Sequence, residues 1–146
     1  MNEKMEILVQ QYKIMIDSTM QVSNWRQTAN NFYLTVNTVL LSVDTFLISF
    51  NPYAGLIVGV GGVLIAVLWR ATILYYKDLN NVKFKIVHKI EDQLPVALFK
   101  DEWVELKKKH RLITPTRIET WVPIIFLIAY LFVIGSYLWP IIIANI

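Results

Sequence analysis

The chain has 146 residues, of which 55% are hydrophobic and 17% charged, with a mean hydropathy of +0.47 and a formal net charge of +3. A soluble domain of this size would not keep so apolar a composition wetted, which excludes an ordinary water-soluble globular protein. The chain has no cysteine, so disulfides, thiolate chemistry and cysteine metal sites are excluded too.

The first residues, Met1-Asn2-Glu3-Lys4-Met5-Glu6, mix charges and lack the cationic start and apolar core of a cleaved signal peptide. The first span is therefore expected to act as its own insertion signal. Apolar residues at Met5, Leu8, Val9, Tyr12, Met15, Ile16, Met20 and Val22 keep close to helical spacing, which predicts a helix leading into that span. The first span covers about residues 32–50 and the second about residues 54–76, with Asn51-Pro52-Tyr53 as the turn of a helical hairpin. An alternative takes the charge-free run of residues 45–69 as one span merely kinked at Pro52. The hairpin is preferred because it makes use of the apolar stretch 36–43, which the single span would leave at the interface.

Beyond the hairpin, residues 78–93 read as an amphipathic helix, with Leu79, Val82, Ile86 and Ile90 on one face, stopping before Pro95. A further helix is expected from about Lys100 to His110. Asp101 and Glu102 lie near its positive end, and Lys107, Lys108 and Lys109 at its negative end. Residues 121–146 carry no charge and exceed the roughly 20 apolar residues that cross a bilayer. The third span is expected over about residues 121–144, with Pro123 in its first turn, where proline costs no hydrogen bond. The fold class is an all-α membrane protein with three transmembrane helices and amphipathic cytoplasmic helices. It divides into a cytoplasmic helix (1–31), a transmembrane hairpin (32–76), a cytoplasmic helical segment (77–120) and a third span (121–146).

All 14 Lys and Arg residues fall in segments that fit on one side of a membrane. Lys4, Lys13 and Arg26 precede the first span and ten more lie in residues 77–120, whereas the Asn51-Pro52-Tyr53 turn and the tail after Trp139 have none. Arg70 lies on the cytoplasmic half of the second span, where its side chain can snorkel. The positive-inside rule then predicts a cytoplasmic N-terminus and central loop and an external C-terminus, in a bacterial inner membrane.

Within the first span, Asn37 and Asp44 stand seven residues apart and share a face, with Thr38, Ser42, Thr45 and Ser49 on the adjacent strip. An ionisable residue inside a span is costly and usually faces a bundle interior or a water-filled cavity. Asn37, Ser42, Asp44 and Thr45 are therefore candidate pore-lining residues, with an Asp44 ring favouring cations. The competing reading makes Asp44 a protonated or hydrogen-bonded contact that glues helices together. Asp44 and Arg70 differ in depth by too much for a direct ion pair. The glycines Gly55, Gly59, Gly61 and Gly62 contain a GxxxG step, read as close helix packing. A dinucleotide loop does not fit, because Leu64 stands where its third glycine belongs and no strand precedes it.

Lys107-Lys108-Lys109-His110-Arg111, close behind Trp103, forms the densest basic cluster. It reads first as an anchor on an anionic leaflet, and second as a site for a nucleotide or oligonucleotide. The candidate ligand-binding residues are Trp103, Lys107, Lys108, Lys109, His110 and Arg111. His88 and His110 show no metal-ligand spacing, and neither a Ser-His-Asp nor a paired-carboxylate pattern is present, so no enzyme, metal or cofactor is expected.

Several short motifs, in order, resemble the RipA-like octameric membrane proteins of bacteria. They are Arg26-x-x-x-Asn30-Asn31-Phe32-Tyr33-Leu34-Thr35-Val36-Asn37-Thr38, Tyr76-x-x-Leu79-Asn80-x-x-Lys83-Phe84, Glu91-x-x-Leu94-Pro95, Glu102-Trp103 and Glu119-x-x-x-Pro123. The resemblance implies a small inner-membrane protein assembled as a ring of eight, without an established enzymatic activity. A looser architectural similarity links the chain to small membrane effectors of antiphage systems, whose cytoplasmic layer senses a nucleotide and whose spans form a pore. The expected function is a homo-oligomeric channel, gated by an anionic ligand at a basic collar. The alternative is a non-conducting scaffold that organises partner proteins.

Overall fold

The computed structural model describes residues 3–109 and 115–144. Four helices follow in order: α1 (Glu3–Phe50), α2 (Pro52–Glu91), α3 (Leu98–Lys109) and α4 (Pro115–Ala144). Three of them, α1, α2 and α4, are long and apolar enough to cross a membrane, and the described residues contain no strand.

One residue reverses the chain between α1 and α2. The residue before a proline is pushed to extended geometry, and Asn51 adopts it at φ −142° and ψ 96°. Its side chain accepts the Ala54 N–H at 3.3 Å, while Pro52, which has no N–H to satisfy, opens α2. The Asn51 N–H still closes α1 by donating to the Leu47 carbonyl at 2.8 Å. Asn51-Pro52 therefore ends one helix and caps the next, giving the hairpin rather than a kinked single span.

At 1.5 Å per residue, the 48 residues of α1 and the 40 of α2 extend about 72 and 60 Å, twice a bilayer's hydrocarbon thickness. The hairpin thus continues well past the membrane at its charged end. The amphipathic helix expected over residues 78–93 is the uninterrupted extension of the second span. No glycine or proline falls between Gly62 and Pro95 to break it.

The antiparallel pairing is fixed by a series of cross-links. Starting at the turn, Gly55 lies against Ile48 and Gly59 against Asp44. Farther down, Trp69 Nε1–H donates to Asn30 Oδ1 at 3.0 Å, Lys83 Nζ donates to Ser18 Oγ, and Tyr12 OH donates to Glu91 Oε1 at 2.9 Å. A Cβ on Gly55 would come within 2.9 Å of the Ile48 backbone, so this glycine is what allows the two helices to approach near the turn.

α4 packs chiefly against α2 and only slightly against α1. It begins at Pro115, earlier than the expected start near Trp121, so Pro123 sits inside the helix and is fully buried. Arg26 of α1 and Glu119 of α4 form an ion pair at 3.4 Å near the charged end. The core comprises Val22, Ala66, Trp69, Ile73, Val87 and Tyr130. Trp69 sits at its centre, between Tyr33 and Phe126.

Candidate functional site

α1 carries three distinct strips through the membrane. The first faces α2 and α4 and contains Asn37 and Asp44, both fully buried. The second holds Phe32, Val39, Val43, Phe46 and Phe50, all exposed. The third holds Thr35, Thr38, Ser42, Thr45 and Ser49, also exposed, at alternating spacings of three and four that keep them in one line. Asn24, Thr28 and Asn31 continue that line toward the charged end and are exposed as well.

The structure therefore divides the four residues that the sequence grouped as pore-lining. Ser42 and Thr45 face outward from the protomer, and Asn37 and Asp44 face inward. The division follows from helix geometry, because Asp44 lies roughly 160° around the helix from Ser42 and 100° from Thr45.

The hydroxyls of the outer strip donate along their own helix. Thr35 bonds the Asn31 carbonyl at 3.0 Å, Thr38 the Leu34 carbonyl at 2.8 Å, Ser42 the Thr38 carbonyl at 2.9 Å and Thr45 the Leu41 carbonyl at 2.7 Å. Such bonds to the carbonyl four residues earlier spend the hydroxyl proton, leaving the oxygen lone pairs as acceptors on the outer surface. The strip is thus polar, uncharged and rich in acceptors. The exposed faces of the other spans differ: α2 presents Ile57, Val60, Leu64, Val67 and Leu68, and α4 presents Ile125, Ile128, Leu131 and Phe132.

Behind the strip lies the buried polar pair. Asn37 Nδ2 donates to the Tyr33 carbonyl at 2.8 Å, and Tyr130 OH of α4 donates to the Asn37 backbone carbonyl at 3.0 Å. Tyr130 reaches that carbonyl across Gly62, where any Cβ would lie 2.3 Å from its ring. Neither carboxyl oxygen of Asp44 has a hydrogen-bond partner among the described residues. Arg70 is exposed and lies about 28 Å along α2 from the turn, near the depth of Asn30, so it is not a partner for Asp44.

A second polar node ties the charged end together. Glu91, almost fully buried, accepts from Tyr12 OH, from the Phe99 N–H at 2.8 Å and from the Lys100 N–H at 3.0 Å. A carboxylate thus fills the amide end of α3, where helix geometry favours negative charge. Burial and the bond to the Glu91 carboxylate push the Tyr12 phenol up to about 12. Neither Tyr130 nor Glu91 stands out by local pattern. The available signals were a phenol, one of two in a charge-free span, opposite a glycine run, and an acid seven residues before a helix start.

Of the basic cluster, Trp103 is half-exposed on α3 and Lys108 is exposed, paired with Glu105 at 2.8 Å. Lys107 and Lys109 belong to the last turn of α3, whereas His110 and Arg111 lie outside the described residues. Among the described residues, no group of three His, Asp or Glu side chains could hold a metal ion. Residues 9–139 match the family described as Octameric membrane protein family (8xMP). No curated protein and no solved structure matches the chain.

Proposed function

This chain belongs to the octameric membrane protein family, and we propose on that premise that eight copies form a ring whose α1 helices enclose an aqueous path. The observation that carries the reading is the line of exposed Thr35, Thr38, Ser42, Thr45 and Ser49 on α1, set against the apolar outer faces of α2 and α4. Lipid contact suits the faces of α2 and α4, and water suits the acceptor-rich face of α1. Eight helices spaced at about 10 Å would have their axes about 13 Å from the centre, leaving a lumen roughly 8 Å in radius. Phe32, Val39, Val43, Phe46 and Phe50 would then meet the neighbouring copy.

The wall carries no charge at the depth of the strip, because Asp44 points into the protomer. Any preference between small cations and anions along the strip therefore comes from its acceptor oxygens rather than from a ring of charge. Orientation follows the charge distribution, with the N-terminus and α3 in the cytoplasm of a bacterial inner membrane and the C-terminus outside. The cluster Lys107 to Arg111, repeated around the ring, would form a basic collar able to attract an anionic ligand such as a nucleotide. Replacing Lys107, Lys108 and Lys109 together with Gln would then weaken the salt-dependent binding of a phosphate-rich ligand, and unchanged binding would leave the cluster with an orienting role alone.

The absence of native cysteine makes the path directly testable. Single cysteines at Thr38, Ser42 and Thr45, with Leu64→Cys on α2 as control, are reconstituted into vesicles loaded with a small fluorescent anion. A membrane-impermeant methanethiosulfonate should block efflux through the three α1 variants and not through Leu64→Cys. Tight parent vesicles, or equal block at Leu64, would refute the path and favour a non-conducting scaffold.

A further inference from the structure

The hydroxyl strip leaves Asp44 without a role in the path, although a carboxyl is the group least expected at full burial in a membrane span. Its surroundings are specific. On α2 it meets Gly59, where an added Cβ would lie 3.1 and 3.4 Å from its two oxygens and 3.1 Å from Cγ1 of Ile134 on α4. Asp44 is 0% exposed, and neither oxygen has a hydrogen-bond partner among the described residues.

The titratable groups that face it are few. From α4, Tyr130 lies within electrostatic reach, but its hydroxyl hydrogen is committed to the Asn37 carbonyl. Along the buried strip α2 presents Gly55, Gly59, Gly62 and Ala66, none of which titrates, and its first cation, Arg70, is exposed and several turns away. α1 itself has no Lys or Arg between Arg26 and the turn. An ionised Asp44 would therefore be a bare charge walled by glycine, isoleucine and a phenol ring.

We infer that Asp44 is a proton-binding site built into the interior of the protomer, occupied as the neutral acid, and that loss of this proton unseats α4 from the α1–α2 hairpin. α4 is the element free to give way, because it touches α1 only slightly and, among the described residues, Tyr130 supplies the hydrogen bond that ties it to α1 within the span. Separation would admit water to the carboxylate, which is the least costly way to solvate it. The inference stands on packing within one protomer and holds whether or not the ring conducts.

Infrared spectroscopy of the detergent-solubilised oligomer, in ester-free detergent at neutral pH, tests it. The parent should show a neutral carboxylic-acid carbonyl band that is lost in Asp44→Asn. Labelling the parent with carboxyl-13C aspartate should shift the band to lower frequency, which settles its origin even if Asp44→Asn does not assemble. Of the five aspartates Asp44 alone is buried, whereas Asp17, Asp78, Asp92 and Asp101 are exposed. Absence of a shifting band, or a band that survives in an assembled Asp44→Asn, would overturn the site. Raising the pH until the band disappears should be accompanied by faster hydrogen exchange in α4, and band loss with unchanged exchange would overturn its control of α4.

Discussion

Substituting Gly62 with alanine adds one methyl group at the most crowded of the glycine positions. The new Cβ would lie 2.3 Å from Cε1 and Cζ of Tyr130 and 2.8 Å from Cδ1, so the ring would have to move by about an ångström to reach ordinary carbon contact. Tyr130 has little freedom to do so: it is fully buried and its hydroxyl is anchored on the Asn37 carbonyl. Overpacking of this kind costs about 1–3 kcal/mol, and losing the Tyr130 hydrogen bond costs about 1 kcal/mol more. Together they lower stability by roughly 2–4 kcal/mol. Gly61 is the internal control, because a Cβ there meets no atom within 4 Å. Gly61→Ala should be neutral or stabilising by up to about 1 kcal/mol, through helix propensity alone. The assay is unfolding of the purified protein in mixed micelles with increasing denaturing detergent. Shrinking the partner supplies a second check. In Gly62→Ala with Tyr130→Leu, the combined loss should fall short of the sum of the single losses, as expected for residues in contact. Equal losses for Gly61→Ala and Gly62→Ala would refute the packing argument.

Three further outcomes follow from other contacts. Glu91→Ala removes the acceptor for Tyr12 OH and for the Phe99 and Lys100 N–H groups, so limited proteolysis between Gln93 and Val96 should accelerate, with α1 and α2 otherwise intact. Because Tyr12 is raised to about 12 from an unfolded value near 10, its contribution to stability is fully present below pH 10 and is lost as pH rises toward 12. The ultraviolet tyrosinate difference between parent and Tyr12→Phe should have its midpoint near 12, and a midpoint near 10 would contradict the Glu91 bond. Trp69→Phe leaves Asn30 Oδ1 without its donor and should cost about 1–3 kcal/mol in the same detergent unfolding, with an unchanged transition as the contrary result.

The hairpin was legible because its signal is local: Asn51-Pro52 carries both a helix stop and a helix start. The third span and the glycine packing face were legible for the same reason, since charge-free length and small-residue spacing are read along one helix. What escaped was decided between elements. The 3.6-residue period placed Asn37 and Asp44 on one face of α1, but could not say whether α2 and α4 or a lumen would cover it. Tyr130, far along the chain, decides that. The continuity of α2 past Lys77 was obscured by a change in polarity, which marks the edge of the membrane rather than the end of a helix. Glu91 reaches α3 through a loop, so only the folded chain reveals what it caps.

A map of the lipid-embedded oligomer at side-chain resolution tests the central claim most directly. The account predicts eight copies with α1 innermost, Thr35, Thr38, Ser42, Thr45 and Ser49 facing the axis, and Asp44 enclosed within each protomer between α1, α2 and α4. A ring lined by α2 or α4, or one in which Asp44 turns to face the lumen, would contradict it.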